Sequence, residues 1–449
     1  QINATGTIAS RALGIPFEAG VWVGLISILI CSMLGGMRAV TWTQVAQYIV
    51  LIIAYLIPVF WISSNVGGGI FPHLMLGDEV ARLGELEQQF GLVKNSAADM
   101  KAAGVPGGLK YISGTHSGVP EGGMAVWKYL SLAICMMVGT ASLPHILMRY
   151  FTTPTVRAAR KSVAWSLFFI FLLYSSAPML ATLSKLALMD PNLPTGIIGK
   201  SISEVQSIEW VQRWSEVKQV FIADFNGDGI LQLNEWFMRG DVVVLATPEV
   251  AGLPFVISGL VFAGGMAAAM STADGLVLAI SNALSHDIYY KIINPKAETA
   301  KRLLVARTLL VIIGAAGAYI ASFRLTSILG SVAWAFDFAM SGLFFPLVLG
   351  VWWKRATREG AIAGILAGII SGTVYLTWVF PKFSVPIWGG VNTPFLGIDH
   401  LRFGLIGAPI CLVVMVVVSL MTKEPSPATQ KLVDDTRIPT GKAILGKQH

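Results

Sequence analysis

The sequence predicts an all-α integral membrane protein with about nine transmembrane helices, and three observations predict it. Hydrophobic residues make up 54% of the chain and charged residues only 13%, whereas a soluble domain carries roughly 25% charged residues. Apolar runs of about 20 residues, enough to cross a hydrocarbon core of roughly 30 Å, recur along the chain. Basic residues gather in alternate loops between those runs, as orientation signals do.

In chain order, the runs lie near residues 16–36, 44–63, 126–149, 163–187, 257–285, 302–322, 327–352, 358–380 and 401–421. Arg38, then Arg149, Arg157, Arg160 and Lys161, then Lys291 through Arg307, then Lys354, Arg355 and Arg358 mark loops expected on the cytoplasmic side of a plasma (inner) membrane. Residues 1–63 then hold two spans, 64–125 an extracytoplasmic loop and 126–187 two more spans. Residues 188–256 form a second outer loop, 257–352 hold three spans, 353–421 hold two, and 422–449 are a cytoplasmic tail. Gln1 to Gly14 read as a loop without signal-peptide features, so the chain is expected to start downstream of further helices. Within the first outer loop, Asp78 to Gln89 suit a short amphipathic helix, and Gly104 to Gly123 read as a mobile segment. Cys31, Cys135 and Cys411 each fall inside an apolar run, as small core residues rather than a disulfide framework. No nucleic-acid-binding module is visible.

The fifth run carries Met270, Ser271, Thr272, Ala273 and Asp274 at a depth where lipid is expected. Polar groups there are costly and mark ion or substrate paths. Ala268, Ser271 and Thr272 stand at i, i+3 and i+4 and share one helical face, offering two hydroxyls and a main-chain carbonyl to a small cation. The alternative is that both hydroxyls bond back to the preceding turn or join neighbouring helices. Asp274, one turn beyond Ser271, and Asp337, inside the seventh run, are candidates for cation or proton coupling. A neutral acid bonded to a neighbouring helix is the alternative for each. In the third run, Thr140, Ser142, Pro144 and His145 form a candidate substrate or gate element. Pro144 disfavours a continuous helix, Ser142 is placed to cap the restart, and freed N–H groups suit an anionic ligand. A proline kink buffered by neighbouring helices is the bland version. His145 reads either as a proton relay or as a satisfied histidine at the break.

The run from Gly35 to Gln47 resembles a signature of the sodium:solute symporter family, as do Pro144, His145 and Ile146 with Arg149. So does the stretch from Ala267 to Tyr290, through Met270, Ser271, Thr272 and then Ser285, His286, Asp287, Ile288 and Tyr289. The nearest flavour is the acetate permease-like branch. The resemblance implies a partial inverted-repeat (LeuT-type) transporter bundle whose N-terminal core helices lie upstream of this chain. It implies a sodium site joining the Ala268 carbonyl and the Ser271 and Thr272 hydroxyls to carbonyls of an unwound upstream helix. Residues 1–63 would close the first repeat, 257–352 would include the sodium-site helix, and 353–421 would be peripheral. Many relatives carry an acid where Gln44 stands, a departure that bears on cation exit.

The second outer loop contains a complete match to the twelve-residue EF-hand pattern. Asp224, Asn226, Asp228, Ile230, Gln232 and Glu235 fall on the calcium-ligand positions, and Gly229 falls on the turn position. Helices are expected on both sides, over Ser203 to Val220 and from Glu235 to Met238. A solvated acidic turn without metal is the alternative.

No nucleophile with a base stands at a defined turn, and the six histidines lack zinc spacing, so the chain reads as no enzyme. The expected function is sodium-coupled symport of a small organic anion, acetate or another short monocarboxylate, with sodium as the coupling ion and calcium in a structural role at the EF-hand-like loop. A proton-coupled symporter using Asp274 or Asp337 is one rival, and a receptor-like membrane domain without net transport is another. A channel would need a filter-like repeat of carbonyls that the sequence lacks.

Overall fold

A computed structural model describes residues 1–66, 69, 71–90, 97–105, 110–111, 123–380 and 394–437. Most of the segment from Gly104 to Gly123, expected to be mobile, lies outside the described residues, as does the end of the tail after 437. Helices α1 (Ile2–Leu13) and α2 (Phe17–Asn65) are followed by α3 (Pro72–Phe90), α4 (Ala97–Ala102) and strand β1 (Lys110–Tyr111). Next come α5 (Gly123–Ser142), α6 (Pro144–Leu147), α7 (Val156–Met189), α8 (Ile202–Ser207) and α9 (Glu209–Glu216). Strands β2 (Val220–Ile222) and β3 (Trp236–Met238) lead to α10 (Val243–Val250) and α11 (Phe255–Asn282), which runs on as a π-helix over Ala283–Ile293. Then follow α12 (Thr299–Ser322), α13 (Ile328–Ala339), a short π-helix over Met340–Phe344, α14 (Phe345–Trp352), α15 (Arg358–Val379), α16 (Gly404–Met421) and α17 (Pro427–Asp435).

Seven of these helices are long and apolar enough to cross a membrane, and the number rises to 9 if two bent pairs each count as one span, among the described residues. The chain is therefore a multi-pass membrane protein. Where the sequence suggests a loop at the N-terminus, α1 forms and ends at Gly14, whose φ of 65° suits a residue without Cβ. Pro16 then opens α2, which departs from α1 at 112°. The two spans expected over 16–36 and 44–63 are joined by helix rather than by a loop around Arg38, giving one helix of 49 residues. No proline lies between them, and the only proline inside α2 is Pro58.

The chain divides into two units, residues 1–119 with 168–328 and residues 120–167 with 329–449. In the first unit, the polar segments between spans fold into a domain with its own core. Trp214, Trp236, Leu83, Leu183 and Met189 are all fully buried there. Ion pairs tie its pieces together: Arg82 with Asp190, Lys185 with Glu87 at 2.8 Å, and Arg11 with Glu249 at 2.8 Å. Burial of Asp190 works against its charge, but the Asn192 N–H and the Arg82 guanidinium outweigh it and hold the carboxyl below its ordinary pKa. A small antiparallel sheet of order β1-β3-β2 completes this domain, with Phe221 opposite Phe237 and Ile222 opposite Trp236.

In the second unit, α15 and α16 pack through glycines. Gly360, Gly364, Gly368 and Gly372 repeat every fourth residue on α15. A Cβ on Gly368 would lie 2.8 Å from the Cys411 Cβ, and one on Gly364 would lie 2.8 Å from the Met415 Cβ. Close backbone approach of this kind is how helices associate in lipid, where no hydrophobic force draws them together.

Candidate functional site

Helix α11 starts after Pro254 and contains no proline, so its backbone hydrogen bonds run unbroken past the polar stretch. It lies against α2, and Gly264 permits the approach: a Cβ there would stand 2.5 Å from that of Ala54. Further along the helix stand Ala268, Ser271 and Thr272, the candidate cation face. The Ser271 hydroxyl donates to the Ala268 carbonyl oxygen at 2.9 Å, and the Thr272 hydroxyl reaches the same oxygen at 3.5 Å. All three residues are half-buried. The back-bonding alternative is thus realised, yet it also brings three oxygens together, because a hydroxyl that donates its proton keeps its lone pairs for a cation.

Sequence reasoning did not place two neighbours, Gln44 and Ser32, at this face. Gln44 on α2 donates its side-chain amide to the Ser271 carbonyl at 2.5 Å, so this departure from the family pattern touches the candidate site itself. Ser32, also on α2, donates its hydroxyl to Asp274 Oδ1 at 2.9 Å. Asp274 is fully buried and its Oδ2 has no hydrogen-bond partner among the described residues. Ser32, one of two serines inside the first apolar run, was the available signal for this pairing.

The remaining intramembrane candidates lie in the second unit. Asp337 on α13 is fully buried beside the Cys135 thiol and the Phe403–Gly404 start of α16, and neither of its carboxyl oxygens has a hydrogen-bond partner among the described residues. A Cβ on Gly404 would stand 2.7 Å from Asp337 Oδ1, so the carboxyl lies directly against that helix terminus. This is an arrangement suited to an anion at a helix N-terminus.

The helix does break at Pro144, with a bend of 48° between Val126–Ser142 and Pro144–Tyr150. The expected cap is corrected, however. Leu143 is the capping residue and supplies no side-chain bond, while the Ser142 hydroxyl turns back to the Gly139 carbonyl at 3.0 Å and the Val138 carbonyl at 3.2 Å. Thr140 likewise bonds back to the Met136 carbonyl at 2.6 Å. A serine preceding an extended residue is one position too early to reach the new helix. His145 is half-buried in the first turn of α6.

The EF-hand-like loop departs further from expectation. It closes the β2–β3 hairpin instead of joining two helices: Glu235 is followed by a strand, and the segment before the loop is split into α8 and α9 at Ile208. Val220, Ile222, Trp236 and Met238 alternate well enough for a strand, and the pairing to Phe237 wins over the short helical pattern. Asp224 accepts the N–H groups of Gly227 at 2.7 Å and Gly229 at 3.1 Å. Asp228 accepts those of Ile230, Asn226 and Gln232, at 2.8, 2.8 and 2.9 Å. The Ile230 N–H in particular holds the Asp228 carboxyl below its ordinary pKa. Glu235 is fully buried and accepts the Phe225 and Gln232 N–H groups at 2.8 and 2.9 Å. Among the described residues no group of three or more His, Cys, Asp or Glu is placed to hold a metal ion. Calcium is therefore not supported, and the motif's acids act here as acceptors that knot the loop.

The helical bundle with its polar half-buried face is that of a LeuT-type secondary transporter. A family model described as the sodium:solute symporter family matches residues 1–193 and 242–368, and the chain belongs to that family. The match passes over 194–241, the segment that holds α8, α9 and the hairpin. An uncharacterized symporter of Cupriavidus necator is 36% identical over 97% of this chain and 74% of its own length. A monocarboxylic acid transporter of Corynebacterium glutamicum is 25% identical, over 92% of this chain and 66% of its own. The uncharacterized symporter YwcA of Bacillus subtilis is 24% identical, over 91% and 67%. A solved Na⁺-coupled sialic acid symporter, in a substrate-bound outward-open state, aligns over 95% of this chain and 71% of its own. Its TM-score is 0.58 at 15% identity, a likeness of fold. These relatives are transporters rather than enzymes.

Proposed function

We infer that the protein couples inward movement of sodium to movement of a small organic anion, with a short monocarboxylate such as acetate as the substrate class. The observation that carries this reading is the convergence of the Ser271 and Thr272 hydroxyls on the Ala268 carbonyl oxygen, on a helix of a sodium:solute symporter. The substrate class is supported by the monocarboxylic acid transporter among the relatives. Sodium held at this face favours one conformation only through its greater affinity for that conformation, and solute binding then adds its own bias. The reading places the protein in the inner membrane with its C-terminus in the cytoplasm.

The test is labelled acetate uptake by full-length protein in proteoliposomes, with and without an inward sodium gradient. Ser271→Ala and Thr272→Ala are expected to raise the half-saturating sodium concentration by about tenfold, the loss of one good oxygen ligand. Unchanged sodium dependence in both variants would overturn the cation assignment, and uptake indifferent to acetate would overturn the substrate class.

One observation favours a second reading. The unpartnered Oδ2 of buried Asp274 suits a proton carrier. Uptake driven by a pH gradient in sodium-free medium, and lost in Asp274→Asn, would select it.

A further inference from the structure

Beyond the polar face, α11 continues as the π-helix Ala283–Ile293, turns through Asn294–Glu298 and returns as α12. Between these two elements lies a cavity of about 170 Å³ lined by Asn282, Ser285, His286, Thr299, Arg302 and Leu303. A single water needs only about 10–15 Å³ of such space. Ser285 is 5% exposed, and its hydroxyl, on the cavity wall, makes no hydrogen bond among the described residues. Arg302 stands with its guanidinium carbon 3.8 Å from the centre of the Tyr290 ring and forms no ion pair among the described residues. The ring holds the cation in place without neutralising it. Thr299 begins α12, whose cap Glu298 makes no side-chain cap bond and whose first turn contains no acid. Its first N–H groups therefore have no side-chain acceptor, although the Glu298 carboxylate stands beside them.

The surroundings have the same sign. From 283 to 307 the chain carries Lys291, Lys296, Lys301, Arg302 and Arg307 against Asp287 and Glu298. Asp287 is already engaged by His286 at 3.1 Å and Lys291 at 3.2 Å. Leu303 lines the pocket, and Leu304, Ile292 and Ile293 on the same two elements are, like it, more than half exposed. Basic pockets between membrane helices with apolar rims bind lipid phosphates.

We propose that this cavity is a binding site for a phosphate group, in which Arg302, the Ser285 hydroxyl and the first turn of α12 hold the phosphate oxygens. The ligand is either the headgroup of an anionic phospholipid, its chains along Leu303 and Leu304, or free inorganic phosphate. The site is separate from the Ala268–Thr272 face and does not depend on which ion drives transport.

The experiment titrates full-length protein in neutral detergent with three probes, dihexanoyl phosphatidylglycerol, dihexanoyl phosphatidylcholine and inorganic phosphate, reading the shift in melting temperature. Saturable stabilisation by phosphatidylglycerol at a lower concentration than by the other two identifies an anionic lipid. Saturation by inorganic phosphate at a concentration equal to or lower than that of the lipid identifies the free ion. In either case Arg302→Gln is expected to weaken binding by about tenfold and Ser285→Ala by roughly threefold, the losses of a charged and a neutral donor. If Arg302→Gln fails to fold, Ser285→Ala, an almost isosteric change, carries the test. No saturable response to phosphatidylglycerol or phosphate, or wild-type affinity in the folded variants, overturns the proposal.

Discussion

Asp274 and Asp337 carry the same sequence signal and the same complete burial, yet their surroundings differ in kind. Asp274 meets one serine hydroxyl from α2 and keeps an oxygen without a partner, three residues beyond Ser271. Asp337 lies against the start of α16 and the Cys135 thiol, in the glycine-packed unit, and both of its oxygens lack a partner among the described residues. The first arrangement leaves capacity for a ligand. The second leaves both oxygens unbonded as well, but sets them directly against a helix terminus. An acid buried in a membrane helix is thus a functional-site candidate by default, and its neighbours decide whether it stays one.

Four outcomes break or sharpen that contrast. The largest is expected for Asp337→Leu, which brings a branched chain against the Gly404 backbone and removes the acid from the start of α16. Stability should fall by about 3 kcal/mol, read from unfolding of the purified protein. A variant as stable as the wild type would show that Asp337 is not a structural element. Asp274→Asn should keep its bond to Ser32 and its stability while lowering ion-driven uptake about tenfold, equivalent to about 1.4 kcal/mol. Equal loss of uptake in Asp337→Asn would erase the distinction between the two acids. Ser32→Ala, which strips Asp274 of its hydroxyl donor, is expected to lower stability by about 1 kcal/mol in the same unfolding measurement.

The smallest effect concerns acid stability of the extramembrane domain. The Asp190 pKa is depressed in the folded state, so its contribution is complete above the ordinary aspartate value of about 3.9 and is lost as pH falls through the folded value. Melting temperatures from pH 7 down to pH 3 should fall less steeply for Asp190→Asn than for the wild type. A parallel decline in both would remove Asp190 from the acid response.

Much of the site was legible before any coordinates. The i, i+3, i+4 spacing of Ala268, Ser271 and Thr272 leaves a continuous helix no choice but to align them, and the structure groups their oxygens accordingly. Less legible were partners distant in sequence, such as Gln44 for Ser271 and Ser32 for Asp274, because periodicity describes one helix at a time. The glycines at 360, 364, 368 and 372 were legible as a four-residue repeat but were overlooked in favour of polar positions. The Ser142 cap failed for a local reason, since the hydroxyl found acceptors in its own helix first.

The sequence by itself determined the apolar spans, the membrane class, the break at Pro144 and the alignment of Ala268, Ser271 and Thr272 on one face, all consequences of short-range geometry and of composition in a lipid solvent. The tertiary structure alone decided that the EF-hand-like residues close a β-hairpin, that Glu235 turns inward, and that one buried acid lies against a helix end while the other meets a serine of α2. Those outcomes depend on which segments meet across the fold. A carboxylate takes the nearest N–H group available to it, and only packing settles which one that is.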